Sequence, residues 1–413
     1  MNRSLQKWLS VALFNLLLVA VLGGLMRYKI AFSFPIVNQK FLLHAHSHFA
    51  FTGWVTQALM VLLVNYLVDK TQTNQFAKYR WLLWANLITA YGMLVTFPFE
   101  GYALGSIIFS TASIFVSYAF AIQYWRDLNK ISEHHTSHSF FKAAIFFNAL
   151  SSIGAFSLAY MMATKSVQQN SYLASVYFFL HFQYNGWFLF SCMGLLAYRL
   201  NKYGIPENKL KPAYYLFAAS CIPAYFLSAM WIAMPEWVYV LVALSGLTQL
   251  AGWVIFLRVI KQVIPVLKTR SNLFSYRFFI LCGIAYSLKL LLQASTAIPS
   301  LSELAYGFRP IVIGYLHLVL LGVVSMFIIA YCIACKFITF NNFTKTGTII
   351  FVAGIIINEI FLMVQGVADL KEIEVPYINE SLLGAAIILF LGILLMNINT
   401  KSAPVLIETN AEQ

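Results

Sequence analysis

Charged residues are scarce in this sequence. Asp, Glu, Lys and Arg make up 10% of its 413 residues, whereas 61% are hydrophobic and 16% are aromatic. A soluble domain has about a quarter of its residues charged, because polar side chains must cover its core. A chain this apolar needs lipid as its solvent. The composition therefore predicts one transmembrane domain, residues 1–399, followed by a short polar cytoplasmic tail, residues 400–413.

Cysteines and acidic residues are also few. The five cysteines all lie within apolar runs, without the spacing of an extracellular disulfide framework, so no disulfides are expected. Basic residues outnumber acidic ones 27 to 14. They lie in short loops and do not alternate with aromatic residues on a surface, so they indicate membrane topology rather than nucleic-acid binding. Membrane lipid is the expected partner of the chain, and nucleic acid is not.

A spanning helix needs about 20 predominantly apolar residues, and twelve runs meet this requirement. The polar–apolar alternation of a membrane barrel is absent, so the sequence predicts an all-α fold of twelve transmembrane helices. Of the 27 basic residues, 20 fall on the side of the N-terminus, 6 on the other side and one, Lys289, within a helix, which predicts that both termini are cytoplasmic. The predicted helices are 8–26, 41–67, 80–98, 102–124, 140–163, 172–199, 212–233, 236–258, 276–297, 309–335, 346–367 and 380–398.

The second, sixth and tenth of these helices share a short pattern, a histidine followed five residues later by a glycine. The histidines are 133 and 136 residues apart, which is four helices each time, so the three helices run in the same direction. At 1.5 Å per residue, all three lie about 10–14 Å below one membrane surface. The pattern predicts three four-helix units around a pseudo-threefold axis. Its copies are His48 to Trp54, His181 to Trp187, and His317 to Gly322.

The second helix carries two further histidines, His44 and His46. Histidine is costly inside a membrane and tends to mark a functional site there. His44 and His48 are four residues apart and share one helix face, whereas His46 lies about 200° around the helix and is not expected to serve the same centre. Two arrangements remain open for the pair. It can hold one metal ion, or one member can face a histidine of another helix across a haem.

Twelve helices with candidate ligand histidines on the second, sixth and tenth resemble the plan of the haem–copper oxidase large subunit (subunit I). The second helix, with His44 and His48, looks like the helix that supplies one axial ligand of the low-spin haem. The tenth helix is similar to the family's His-x-His helix. There His317 falls on the second histidine, the other low-spin ligand. Tyr315 falls on the first, the ligand of the high-spin haem.

The sixth helix resembles the family's copper-binding helix. His181 looks like the first copper ligand, and Tyr184 lies one turn further on. The family places more copper-binding histidines on its seventh helix, but residues 212–258 contain none. With tyrosine at position 315, this departure implies a degenerate or altered second metal site. The resemblance thus implies a bis-histidine, low-spin, b-type haem and leaves copper and dioxygen reduction in doubt.

The resemblance also implies a role in electron transfer or in nitric oxide or other gas chemistry. A redox partner subunit and a place in the bacterial inner membrane are the corresponding expectations. If the chain is an enzyme, it is an oxidoreductase of the cytochrome oxidase or nitric oxide reductase type, whose catalytic residues the sequence does not identify.

Two charged residues are predicted near the middle of the membrane, Lys289 on the ninth helix and Glu359 on the eleventh. An unpaired charge at that depth is expensive, so we expect the two side chains to form an ion pair. Internal repeats and a charged midplane pair are also features of secondary transporters. Transport is therefore the alternative function.

Overall fold

The structure, a computed structural model, describes residues 3–133, 135–270 and 273–398. Within these ranges the regular secondary structure is helical, with no strand. The all-α prediction is thus confirmed for the described part of the chain. The predicted tail at 400–413 lies outside the described residues.

Thirteen continuous helices follow one another in the described part of the chain, not counting short 3₁₀ turns. They are α1 Arg3–Phe32, α2 Gln39–Thr71, α3 Gln75–Glu100, α4 Leu104–Leu128, α5 Thr136–Ala163, α6 169–202, α7 Lys211–Cys221, α8 Glu236–Arg270, α9 Leu273–Ser295, α10 Pro299–Gly307, α11 Arg309–Ala334, α12 Asn342–Leu370 and α13 Ile378–Asn397.

Ten of these helices, all except α6, α7 and α10, are long and apolar enough to cross a membrane, counted over the described residues. This number of apolar helices supports the prediction of an integral membrane protein. The predicted run 172–199 is helical throughout, as part of α6. The prediction of one continuous helix over 212–233 is wrong, because α7 ends at Cys221 and a 3₁₀ turn, Pro223–Ser228, follows. Pro223 has no N–H, and its ring clashes with the preceding helical turn.

The three histidine-bearing helices share a rare backbone feature. Each contains a π-helical segment that begins one or two residues after the motif histidine, at Ala50–Thr56, Phe182–Phe188 and Leu318–Ser325. Well under 1% of residues in globular proteins are π-helical, and such segments are frequent at functional sites. The three sequence copies therefore share one local conformation.

Side chains from neighbouring helices hydrogen-bond to the first π segment. Asn15 of α1 donates from Nδ2 to the carbonyl oxygen of Gly53 at 2.6 Å. Asn86 of α3 donates to the carbonyl oxygen of Thr52 at 3.0 Å and to Oε1 of Gln57 at 2.8 Å. Asn15 and Asn86 are both buried. These bonds satisfy polar groups where the α-helical ladder is disturbed.

Two buried indole hydrogen bonds join the π segments to one another. Trp54 donates from Nε1 to Oγ of Ser325 at 2.8 Å, and Trp187 donates from Nε1 to Oγ1 of Thr56 at 3.2 Å. In both bonds the tryptophan lies six residues after the histidine of its own motif copy. The hydroxyl that accepts lies eight residues after the histidine of a different copy. The two contacts therefore repeat one register between different copies of the motif.

Packing differs between the two halves of the histidine-bearing helices. In α11, eight of the nine residues 326–334 are buried, whereas among 309–317 only Gly314 is. In α6, residues 182–188 are all buried, but among 169–181 only His181 is. Helix α1 buries no residue after Val19. The helix ends that carry the histidines are therefore less enclosed by the rest of the protein than the segments that follow them.

Candidate functional site

Three polar side chains from separate helices come near one another at these less buried helix ends. His317 of α11 lies within Coulombic range of both His46 of α2 and Arg27 of α1, and His46 and Arg27 are within range of each other. All three are half-buried. We call these three side chains and the helix ends that carry them the His46–His317 cleft.

The position of His46 is fixed by α1. Its Nδ1 lies 3.1 Å from the carbonyl oxygen of Val19. A carbonyl oxygen can only accept a hydrogen bond, so Nδ1 of the neutral ring carries the hydrogen and donates, and Nε2 keeps a lone pair. A Cβ built on Gly23 would lie 3.2 Å from Cε1 of His46, so the glycine leaves the room that the ring needs. This is the arrangement of a metal-binding histidine, whose second nitrogen usually donates to a carbonyl or carboxylate.

His317 is oriented from the other side by α12. Its Nδ1 lies 3.4 Å from Nδ2 of Asn358, and Asn358 also donates from Nδ2 to Oε1 of Glu359 at 3.1 Å. The Glu359 carboxylate lies beside Gly314, one turn before His317, since a Cβ built there would be in ordinary contact with Oε2 at 3.6 Å. The cleft thus has a histidine on each side and an amide and a carboxylate behind one of them.

Positive charge lies at one end of the cleft. Arg309, in the first turn of α11, lies within Coulombic range of Arg27. Neither guanidinium forms a salt bridge with an acidic side chain of the described residues. The cleft therefore favours a ligand with negatively charged groups.

His44 and His48 lie on a different side of α2. The Nε2 atom of His48 is 2.9 Å from the hydroxyl of Tyr102, and the His44 ring makes an edge contact with the same tyrosine at 4.6 Å between centroids. The Coulombic neighbours of His317 are His46 and Arg27. His44 and His48 both contact Tyr102.

His181 is fully buried, and both of its ring nitrogens have protein partners. Nε2 lies 2.8 Å from the carbonyl oxygen of Cys221, and Nδ1 lies 3.0 Å from Nδ2 of Asn185. The Cys221 carbonyl belongs to the last turn of α7, which ends before Pro223. A metal ion at His181 would therefore have to displace one of these hydrogen bonds.

The predicted ion pair between Lys289 and Glu359 is wrong. Lys289 is 1% exposed, and its ammonium donates to Oδ1 of Asn185 and Oε1 of Gln293. Glu359 instead accepts from Asn358. Equal depth in two helices does not determine which way a side chain points around its helix axis. The midplane pair that favoured a transporter is therefore not formed.

The three predicted residues of the second metal site do share a neighbourhood. Tyr184 is buried and makes edge contact with Tyr315, with ring centroids 6.2 Å apart. Its ring centroid is 6.3 Å from that of His181, and its hydroxyl has Ser228 as a hydrogen-bond partner. Among the residues that the structure describes, no three histidine, cysteine, aspartate or glutamate side chains come together to hold a metal.

Sequence reasoning missed three polar partners of the candidate histidines: Asn185, Tyr102 and Arg27. Asn185 carried a signal, since it follows His181 by four residues and hence lies on the same helix face. Tyr102 and Arg27 carried none, because each reaches its histidine from another helix or turn. His46 was set aside because it does not share a face with His44, although the cleft needs only one histidine from α2.

No protein-family model matches this chain, and no curated protein matches it. The chemistry of the His46–His317 cleft is therefore the guide to function.

Proposed function

We propose that this chain is a membrane-embedded haem-binding protein with a plan similar to that of the haem–copper oxidase large subunit. The proposed haem site is the His46–His317 cleft. The observation that carries the proposal is a pair of half-buried histidines close together on two helices, one of them held in the tautomer that leaves Nε2 available to iron. Imidazole is a common axial ligand of haem iron.

The residues present fit such a group. We place one axial ligand at His317 and the second at His46, rather than at His44 or His48. In the structure Asn358 donates from Nδ2 towards Nδ1 of His317 and to Oε1 of Glu359. Coordination through Nε2 of His317 would therefore require the proton of the ring to sit on Nδ1 and the bond from Asn358 to be given up.

Arg27 supplies positive charge to the carboxylates of the haem. The guanidinium fork is the side chain best suited to carboxylate recognition, and no carboxylate of the described residues occupies it. With His46 and His317 both holding it, a bound haem would supply one-electron transfer rather than binding of dioxygen or nitric oxide. The protein residues would bind and orient the group.

In this proposal the second metal site of the resembled family is degenerate. The ring nitrogens of His181 are hydrogen-bonded to the carbonyl oxygen of Cys221 and to the side chain of Asn185. Tyr315 occupies the place of the high-spin ligand. Electron transfer is therefore favoured over catalysis, with a separate redox partner as donor or acceptor.

Twelve membrane crossings, cytoplasmic termini and a pseudo-threefold arrangement in a bacterial inner membrane complete the proposal. The distribution of basic residues supports the orientation. The three π segments and the shared register of the Trp54–Ser325 and Trp187–Thr56 bonds support the threefold relation. Reporter fusions after Lys78, Lys130, Lys209, Lys268 and Lys345 should all be cytoplasmic, and two or more outside would overturn the orientation.

Haem analysis of the purified protein tests the function. After expression with haem supplied, about one b-type haem per chain is expected. A folded, monodisperse protein that purifies without haem under these conditions would refute the proposal.

A further inference from the structure

The His44–His48 face of α2 holds an unsatisfied polar atom. Nε2 of His44 is inaccessible to solvent and has no hydrogen-bond partner among the described residues. One helical turn away, Nε2 of His48 lies 2.9 Å from the hydroxyl of Tyr102. The Tyr102 ring also makes edge contact with both imidazoles. Two ring nitrogens and one phenol oxygen therefore lie on this face, and a buried ring nitrogen without a partner normally has an explanation.

The turn between α3 and α4 holds Tyr102 in place. Gly101 has a φ of +62°, and a Cβ there would lie 2.4 Å from the ring of Phe41, so this position requires glycine. Ser106 closes the turn, donating from Oγ to the carbonyl oxygen of Gly101 at 2.6 Å. Its backbone N–H donates to Oε1 of Glu100 at 2.6 Å. The tyrosine is thus presented to α2 by a hydrogen-bonded turn.

The imidazole of His48 is held as well. Phe97, in the last turn of α3, stacks on it with ring centroids 4.6 Å apart and planes 27° from parallel. Tyr102 remains 40% exposed, which leaves a path by which an ion can enter. The donor atoms are pre-positioned, and their site is open on one side.

We propose that His44, His48 and Tyr102 bind one divalent transition-metal ion, with a fourth position open to an external ligand. Two imidazoles suit zinc, copper, iron or nickel ions. Around a tetrahedral ion with bonds of about 2.0–2.1 Å, neighbouring donor atoms are about 3.3 Å apart. The 2.9 Å between Nε2 of His48 and the Tyr102 hydroxyl is close to that value.

Metal binding replaces the hydrogen bond between His48 and Tyr102. The hydroxyl proton of Tyr102 leaves to solvent, the phenolate oxygen bonds to the ion, and each imidazole contributes the lone pair of its Nε2. No electron is transferred. The site lies on the other side of α2 from His46 and does not depend on haem binding.

The test is titration of the purified full-length protein with Co²⁺, whose visible d–d absorption reports tetrahedral coordination. We expect one equivalent to bind. His44→Ala, His48→Ala and Tyr102→Phe should each weaken binding at least about tenfold, since changes merely behind a ligand already cost about 10–100-fold. Tyr172→Phe, the same change at a tyrosine in the first turn of α6, is the matched control and should bind normally.

Two results would overturn the proposal. The first is folded wild-type protein that binds no Co²⁺ or binds it with an affinity that the three substitutions leave unchanged. The second is loss of the haem spectrum in His44→Ala or His48→Ala, which would make that residue a haem ligand instead. Failure of haem binding in the wild-type protein leaves the Co²⁺ measurement valid, so the two proposals fail independently.

Discussion

Nδ1 of His46 lies 3.1 Å from the carbonyl oxygen of Val19, so that α1 determines which face of the imidazole α2 presents to the cleft. One turn further along α1, Gly23 leaves room for the ring, since an added Cβ would lie 3.2 Å from Cε1. Gly24, its neighbour, has nothing within 4 Å of a built Cβ. The two glycines therefore form a matched pair for testing the role of His46.

Gly23→Ala should loosen the proposed haem site, because the added methyl group displaces or tilts the His46 ring. We expect haem to transfer to apomyoglobin at least about tenfold faster than from the wild-type protein, which corresponds to about 1.4 kcal/mol in barrier height. Gly24→Ala should leave the rate unchanged. Equal rates for the two variants would show that His46 does not hold the haem.

Lys289 should be coupled energetically to Asn185 and not to Glu359. Lys289→Met leaves the buried oxygens of Asn185 and Gln293 without their donor, at about 1–3 kcal/mol for each. Adding Asn185→Leu removes one of the two oxygens left without a donor. The double variant should therefore be more stable than the sum of the two single-variant changes in unfolding free energy predicts. Adding Glu359→Gln should be additive within about 0.5 kcal/mol. Thermal unfolding in detergent measures both cycles, and coupling to Glu359 alone would contradict these contacts.

The loop before α5 should show acid-sensitive stability. Hydrogen bonds from Lys70 at 2.8 Å and from His135 at 2.6 Å lower the pKa of the exposed Glu133 carboxyl to about 2, from an ordinary value of 4.5. A carboxyl whose pKa falls on folding stabilises the folded state above its unfolded pKa. That contribution is lost as the pH falls from about 4.5 to 2. Melting temperatures of Glu133→Gln should vary less over this window than those of the wild type, and identical profiles would contradict the assignment.

The sequence predicted residue types and helix positions better than side-chain directions. The helix around His317, predicted at 309–335, is Arg309–Ala334 in the structure, because a long apolar run in lipid has few alternatives. The failures concern rotation about the helix axis and breaks in the helix. Lys289 and Glu359 share a predicted depth but point to different helices. Each π segment also departs from the α-helical period of 3.6 residues per turn. Residues that share a helix face before the segment therefore do not share the face that the same period predicts after it.

The break after Cys221 had a signal in the sequence, since Pro223 lies in the middle of the predicted run 212–233. Hydrophobic length alone does not detect such an interruption. The neighbours of His46 had no local signal, because Val19, Arg27 and His317 come from other helices. Contacts of this kind depend on how the helices assemble, which the pattern of one helix does not contain.

Dioxygen reduction is not expected of this protein. The resembled family needs a copper ion held by several imidazoles, whereas His181 has both ring nitrogens bonded within the protein. With any electron donor, the haem-loaded protein should consume negligible oxygen, and metal analysis should find no stoichiometric copper that depends on His181. His181→Ala should leave the haem content unchanged. Sustained cyanide-sensitive oxygen uptake, with one copper per chain that His181→Ala removes, would contradict this prediction.

The visible spectrum of the reduced, haem-loaded protein, recorded beside three single variants, tests haem ligation by His46 and His317 most directly. The wild-type protein and His44→Ala should both show a six-coordinate, low-spin, b-type spectrum. His317→Ala and His46→Ala should each lose the low-spin signal, because each removes one axial ligand. A low-spin spectrum that survives His317→Ala, or one that survives His46→Ala and disappears in His44→Ala, would contradict the proposed ligation in the His46–His317 cleft.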